Sequence, residues 1–136
     1  MRRSAIIVIV LVMAALVMPT AAWAGSPHFV GDPTISVSGN TLTVSAKEAG
    51  LGNEDQIHVV LSADASCING GGKNPKAANK DSFNAAGDFP VQNGKSNYTL
   101  TVTASFDPSC SPPMTVDFTR VTLTDETNNL TRSFNV

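Results

Sequence analysis

From Ile35 to the last residue, apolar and polar side chains alternate with a period of two. Ile35 and Val37 open the series, and Ser38-Gly39-Asn40 reads as a turn. Leu42, Val44 and Ala46 follow, with Thr41, Thr43 and Ser45 between them. Ile57, Val59, Leu61 and Ala63 make a third run, and Phe83, Ala85, Gly87, Phe89 and Val91 a fourth, weakened by its glycine and by Pro90. Tyr98, Leu100, Val102, Ala104 and Phe106 alternate with Thr99, Thr101, Thr103 and Ser105 in the clearest strand of all. Val116 and Phe118, then Val121 and Leu123, then Leu130, Phe134 and Val136 complete the chain. Alternation rich in Thr and Val marks half-buried strands, one face inward and one outward.

No helix is expected. The one helix-like stretch, Ala46 to Leu51, is short and broken by Gly50 and Gly52. About seven short strands separated by turn signals predict an all-β antiparallel sandwich of immunoglobulin-like type. Asn93-Gly94 is the strongest local signal, because a two-residue hairpin turn needs positive φ and Asn-Gly adopts it most readily. Between Phe118 and Val121 the parity slips by one residue, which predicts a β-bulge near Thr119-Arg120.

The N-terminus reads differently. Arg2 and Arg3 precede an unbroken apolar run from Ala5 to Val17, Pro19 ends it, and Ala22-Trp23-Ala24 offers small residues at the spacing signal peptidase requires. The run is shorter than the ~20 residues that span a bilayer as helix. Residues 1–24 are therefore expected to be a cleaved signal peptide and 25–136 a single secreted, extracellular domain with no membrane attachment after cleavage. Removing the two arginines takes the formal charge from −2 to −4. An acidic domain without a basic stripe has no electrostatic footprint for nucleic acid.

In an exported chain, two cysteines are most simply a disulfide. Cys67 follows the third run and Cys110 the fifth, so strands of alternating direction bring both to one end of the sandwich. The bridge would close a loop of about 44 residues, worth about 4 kcal/mol on the chain-entropy estimate. The same bookkeeping places the Ser38–Asn40 turn, the loop Cys67–Lys80 and the Pro-rich loop Asp107–Met114 at the cysteine end. Lys47–Gln56, Asn93-Gly94 and Asp125–Asn129 fall at the other.

End loops are where sandwich scaffolds carry function. The Cys67–Lys80 loop, with Gly70-Gly71-Gly72 and three lysines, is the expected binding face, with Asn69, Lys73, Asn74 and Lys76 as first candidates. At the opposite end Glu48, Asn53, Glu54, Asp55, Asp125 and Glu126 supply oxygen donors of the kind that hold calcium in extracellular modules. They follow no fixed spacing and are expected to be solvated loop residues; no metal and no cofactor is expected. His28 lies near the new N-terminus, and His58 sits on a strand, where a solvent-facing histidine is the ordinary case. No serine is marked as a nucleophile, and Glu54-Asp55 are chain neighbours rather than a pair across a cleft. No catalytic residue is expected. The glycosylation sequons at Asn97 and Asn129 read as incidental.

Ala49-Gly50-Leu51-Gly52-Asn53 followed by Asp55, then Cys67-x-Asn69-x-Gly71-Gly72 with Pro75 downstream, then Phe89 to Gly94 and Cys110, resemble a group of uncharacterised small secreted bacterial proteins. The resemblance spans nearly the whole mature chain and implies export, a disulfide and a β-sandwich, with no activity attached. Together these readings predict a monomeric, non-enzymatic binding or envelope-associated module with a protein or glycan partner outside the cytoplasm. The alternative is a secreted inhibitor of a hydrolase, its loop presented to a protease cleft.

Overall fold

A computed structural model describes residues 25–69 and 79–136; the expected signal peptide lies outside the described residues. Eight strands run in the order β1 (His28–Phe29), β2 (Thr34–Ser38), β3 (Thr41–Ala49), β4 (Gln56–Ile68), β5 (Lys80–Pro90), β6 (Ser96–Thr103), β7 (Thr115–Asp125) and β8 (Leu130–Asn135). They form two antiparallel sheets packed face to face, the expected all-β sandwich.

In the first sheet β3 is central. Glu48 pairs with Phe29 on one side and with Ser96 on the other, and Thr41 pairs with both Ser38 and Thr103. It follows that β1 and β2 lie on the same edge of β3, with β6 on the opposite edge. They are one edge strand broken at Gly31-Asp32-Pro33, where Gly31 takes a φ of 70° and Pro33 has no N–H to give. The second sheet has the order β5-β4-β7-β8. Pro90 is tolerated because β5 is an edge.

The alternation sorts the side chains as the period predicts. Leu42 and Val44 on β3 and Leu100 and Val102 on β6 are buried with Ile57, Val59 and Leu61 on β4 and Val121 and Leu123 on β7. One flank of the sandwich is closed by aromatic pairs between β5 and the β6 segment. Phe89 stacks on Tyr98 at 4.9 Å, and Phe83 meets Phe106 edge-on at 5.4 Å. Gly87 makes room for this, since a Cβ there would lie 2.9 Å from the Phe89 ring. On the other flank Arg132 of β8 lies over Phe29 at 5.5 Å and binds Asp32 at 3.0 Å.

Two local readings are met closely. Asn93 and Gly94 have φ of 53° and 72°, and Gln92 bridges Lys95 across them. Asp64 pairs with Arg120 while Ala65 pairs with Phe118, so Thr119 is the extra residue of a bulge. It lets Phe118 and Val121 both point inward.

Three details differ from expectation. The eighth strand, β1, is two residues long and carries no period to read. β4 runs to Ile68, so Cys67 lies within the strand rather than after it. β5 begins at Lys80, where its pairing with β4 ends at Ser66–Lys80, and so takes the last residue assigned to the loop.

Candidate functional site

Cys67 and Cys110 form the disulfide, with Cα atoms 5.7 Å apart. Cys67 has the inward parity of Ala63 and Ala65 and is buried, its Sγ 3.8 Å from Met114 Sδ. The bridge fastens the end of β4 to the Asp107–Met114 loop. Asn40 joins them at this end: its carbonyl accepts from Ala104 N–H at 2.8 Å and its Nδ2 donates to Ala104 O at 3.1 Å. Of the four candidate binding residues, Asn69 is exposed just beyond β4. Lys73, Asn74 and Lys76 lie outside the described residues.

At the opposite end Asn53, Asp55 and Glu126 are exposed as expected, but two of the acidic side chains are not solvated. Glu48 is 1 % exposed and Asp125 is 0 % exposed. Both continue an inward parity, Glu48 after Leu42, Val44 and Ala46, and Asp125 after Val121 and Leu123. The polar groups that flank them come from both sheets. Tyr98 on β6 donates its phenol proton to Glu48 Oε1, while Glu48 Oε2 has no partner among the described residues. Asp125 caps the turn after β7. Its Oδ1 accepts from the N–H groups of Thr127 at 2.9 Å and Asn128 at 3.2 Å, and its Oδ2 accepts from Asn128 Nδ2 at 2.7 Å. The same Nδ2 reaches Glu54 Oε2 at 3.0 Å.

Burial, foremost, pushes the Glu48 carboxyl up to about 7; the Tyr98 hydrogen bond opposes this, while the Asp125 and Glu54 carboxylates add to it. The Asp125 side chain thus favours the protonated, neutral form of Glu48. The Tyr98 phenol is also pushed upward, by burial and then by Glu48. Among the described residues no group of three or more His, Cys, Asp or Glu side chains is placed to hold a metal ion. The cluster is an interlayer polar bridge: β3 and β6 on one side, the β7–β8 turn on the other, and Glu54 of the β3–β4 loop over the top.

His58 occupies the outer face of the second sheet with its side chain 42 % exposed. Its Nδ1 is 2.7 Å from Asp88 Oδ1 on the neighbouring strand, and its Nε2 faces Glu126 Oε2 at 3.8 Å. The Asp88 hydrogen bond, chiefly, holds the imidazole above its ordinary pKa. Both ring nitrogens thus address carboxylates, an acid–imidazole–acid row in which neither nitrogen is turned to a hydroxyl or thiol. His28 Nδ1–H donates to Ser26 O, 2.8 Å away.

Comparison of the chain with protein-family models, with curated proteins and with solved structures returns no match. Its chemistry has to be read from its own residues.

Residue types at the two ends were legible in the chain; their partition into buried and exposed was not. The parity rule that found Leu42 to Ala46 carries on to Glu48, and Val121 and Leu123 lead to Asp125. That was the available signal for the buried carboxyls.

Proposed function

We propose that the mature chain is a secreted, non-enzymatic binding module that presents the Cys67–Lys80 loop to a protein or glycan partner outside the cytoplasm. The observation that carries this reading is the closure of the loop at its base. Ser66 pairs with Lys80 in the β4–β5 ladder, and the next residue, Cys67, is tied to Cys110. A segment whose two ends are held together loses less conformational freedom on binding. Secretion is supported by the leader-like residues 1–24 and by the disulfide, which persists in oxidising compartments. Among the described residues no helix is long and apolar enough to cross a membrane. The pairing of both His58 nitrogens with carboxylates supports a non-catalytic role for this histidine.

Joint replacement of Asn69, Lys73, Asn74 and Lys76 by alanine should abolish capture of the partner from the native secretome while leaving the melting temperature unchanged. Capture that survives the four substitutions overturns the reading. The hydrolase-inhibitor alternative uses the same clamped loop. Incubation with extracellular proteases separates the two, since an inhibitor slows the enzyme and a plain binding loop is ignored or cut.

A further inference from the structure

The outward face of the first sheet carries a grid of hydroxyls. Register places Ser38, Thr41 and Thr103 in one row, Ser36, Thr43 and Thr101 in the next, and Thr34, Ser45 and Thr99 in the third. Every one of the nine positions is Ser or Thr, and none is ionisable. Of the apolar residues between them, Leu42, Val44, Leu100 and Val102 are buried in the core and Ile35 packs against it, while Val37 is exposed at the end of its strand. Cross-strand partners share a face, so the hydroxyls stand about 4.8 Å apart across the strands and about 6.7 Å apart along them.

The grid does not end on a flat surface. Its third row lines a depression of ≈ 610 Å³ together with Lys47 and Asn97, with Val30 and Asp32, and with Ala46, Tyr98 and Phe89 where it reaches the apolar side. That volume is in the range of small-molecule sites. Val30 is 48 % exposed, an apolar surface left open beside the hydroxyls. The charge of Asp32 is answered by Arg132 at 3.0 Å. Lys47 is exposed and makes no ion pair among the described residues.

We propose that this concave, hydroxyl-lined face binds an uncharged glycan chain, laid in the depression over Thr34, Ser45 and Thr99 and continuing along the grid. Three observations select that occupant. The face is nearly free of charge on a protein of net charge −4 after loss of the leader, which fits a neutral polymer and repels a polyanion. A hydroxyl is one donor and two acceptors, so a repeating hydroxyl surface answers the repeating hydroxyls of a saccharide. Thr43 with Thr101 at 3.1 Å and Ser45 with Thr99 at 2.8 Å already bond one another, which orients them before a ligand arrives. The concavity suits a chain lying in a groove; a flat crystalline lattice such as ice would need a flat face. The apolar edges at Val30 and Phe89 give the C–H faces of sugar rings a surface to cover. Lys47 and Asn97 add donors at one end.

This site is on a different face from the Cys67–Lys80 loop and uses different side chains, so its failure leaves the loop reading standing. The test is a backbone-amide NMR titration of the disulfide-bonded mature chain with neutral cello-, xylo- and manno-hexaose, and with hexagalacturonate as the charged comparison. Saturable shifts at Thr34, Ser45, Lys47, Asn97 and Thr99 with at least one neutral hexaose are the expected result. Thr99→Val keeps shape and strand preference while deleting a hydroxyl. It should weaken binding about three- to tenfold, the worth of one net hydrogen bond, and Lys47→Ala by a similar factor. Thr122→Val, on the outer face of the other sheet, should change nothing. Absence of shifts with every neutral hexaose at millimolar concentration, shifts confined to other faces, or preference for hexagalacturonate overturns the proposal. Faceted ice crystals in a solution that ignores saccharides would reassign the grid to ordered water and overturn it equally.

Discussion

Tyr98 is paired across the ladder with Ala46, which makes Glu48 its diagonal neighbour, and its phenol donates to a carboxyl that water does not reach. The bond lies where the two sheets meet at the acidic end, with Asp125 facing it from the other layer. A carboxyl so placed resists ionisation, and the cost of ionising it is set against folding.

The sign of that cost follows from linkage. An unfolded Glu48 gives up its proton near 4.5, whereas the folded chain holds it until about 7. Between those values the folded state binds more protons than the unfolded one, so the contribution of Glu48 is full below about pH 4.5 and declines as pH rises to about 7. Glu48→Gln keeps an acceptor for Tyr98 and stays uncharged at every pH, without the proton equilibrium. Its stability at pH 8 should exceed that of the wild type by about 3 kcal/mol, with the difference vanishing below pH 4.5. Urea unfolding of both proteins across this range measures it; parallel pH profiles would refute the assignment.

The disulfide should be the largest single contribution that chemistry can remove. Cys67→Ala with Cys110→Ala should lower stability by about 4 kcal/mol. The slope of the urea transition should rise, because the unlinked denatured chain exposes more surface. A loss under about 1 kcal/mol would mean that the denatured chain without the bridge retains structure that already keeps the two segments close.

Thr119 is exposed and is the one residue of the bulge without a partner on β4. Thr119→Ala should change stability by less than about 1 kcal/mol. Deletion of Thr119 leaves Phe118, Arg120 and Val121 in unbroken alternation opposite Ala65, Asp64 and Ala63, so the fold should survive it at a cost of no more than about 2 kcal/mol. Circular dichroism melts of the two variants check it.

The exposed imidazole offers a direct electrostatic test. Asp88→Asn should lower the His58 pKa, because the Asp88 hydrogen bond is the chief cause of its elevation, and Glu126→Gln should lower it less. Proton NMR titration of the ring signals reads both. Equal shifts from the two variants would contradict the 2.7 Å and 3.8 Å geometry.

Much of the sandwich was legible because burial on one face imposes a period of two. Leu100 and Val102 could be assigned inward and Thr99 and Thr101 outward without coordinates. The parity slip at Thr119, the Asn93-Gly94 turn and the Cys67–Cys110 bridge are also local or arithmetical signals. What escaped required three dimensions. His28–Phe29 forms a strand only because β3 offers it an edge at Glu48 and Ala49. Glu48 and Asp125 come from different sheets, 77 positions apart in the chain, and no rule of spacing brings them together. Thr34, Ser45 and Thr99 are unremarkable one by one; only register makes them a row.

The clamp at the base of the Cys67–Lys80 loop separates two kinds of selection. Ladder pairing and covalent closure hold the scaffold, so the span between them can change length or wording at small cost to the fold, about 0.6 kcal/mol for each doubling. Such a protein is a ready-made host for foreign peptides: a library spliced between Ile68 and Asn79 would be displayed on an unaltered frame.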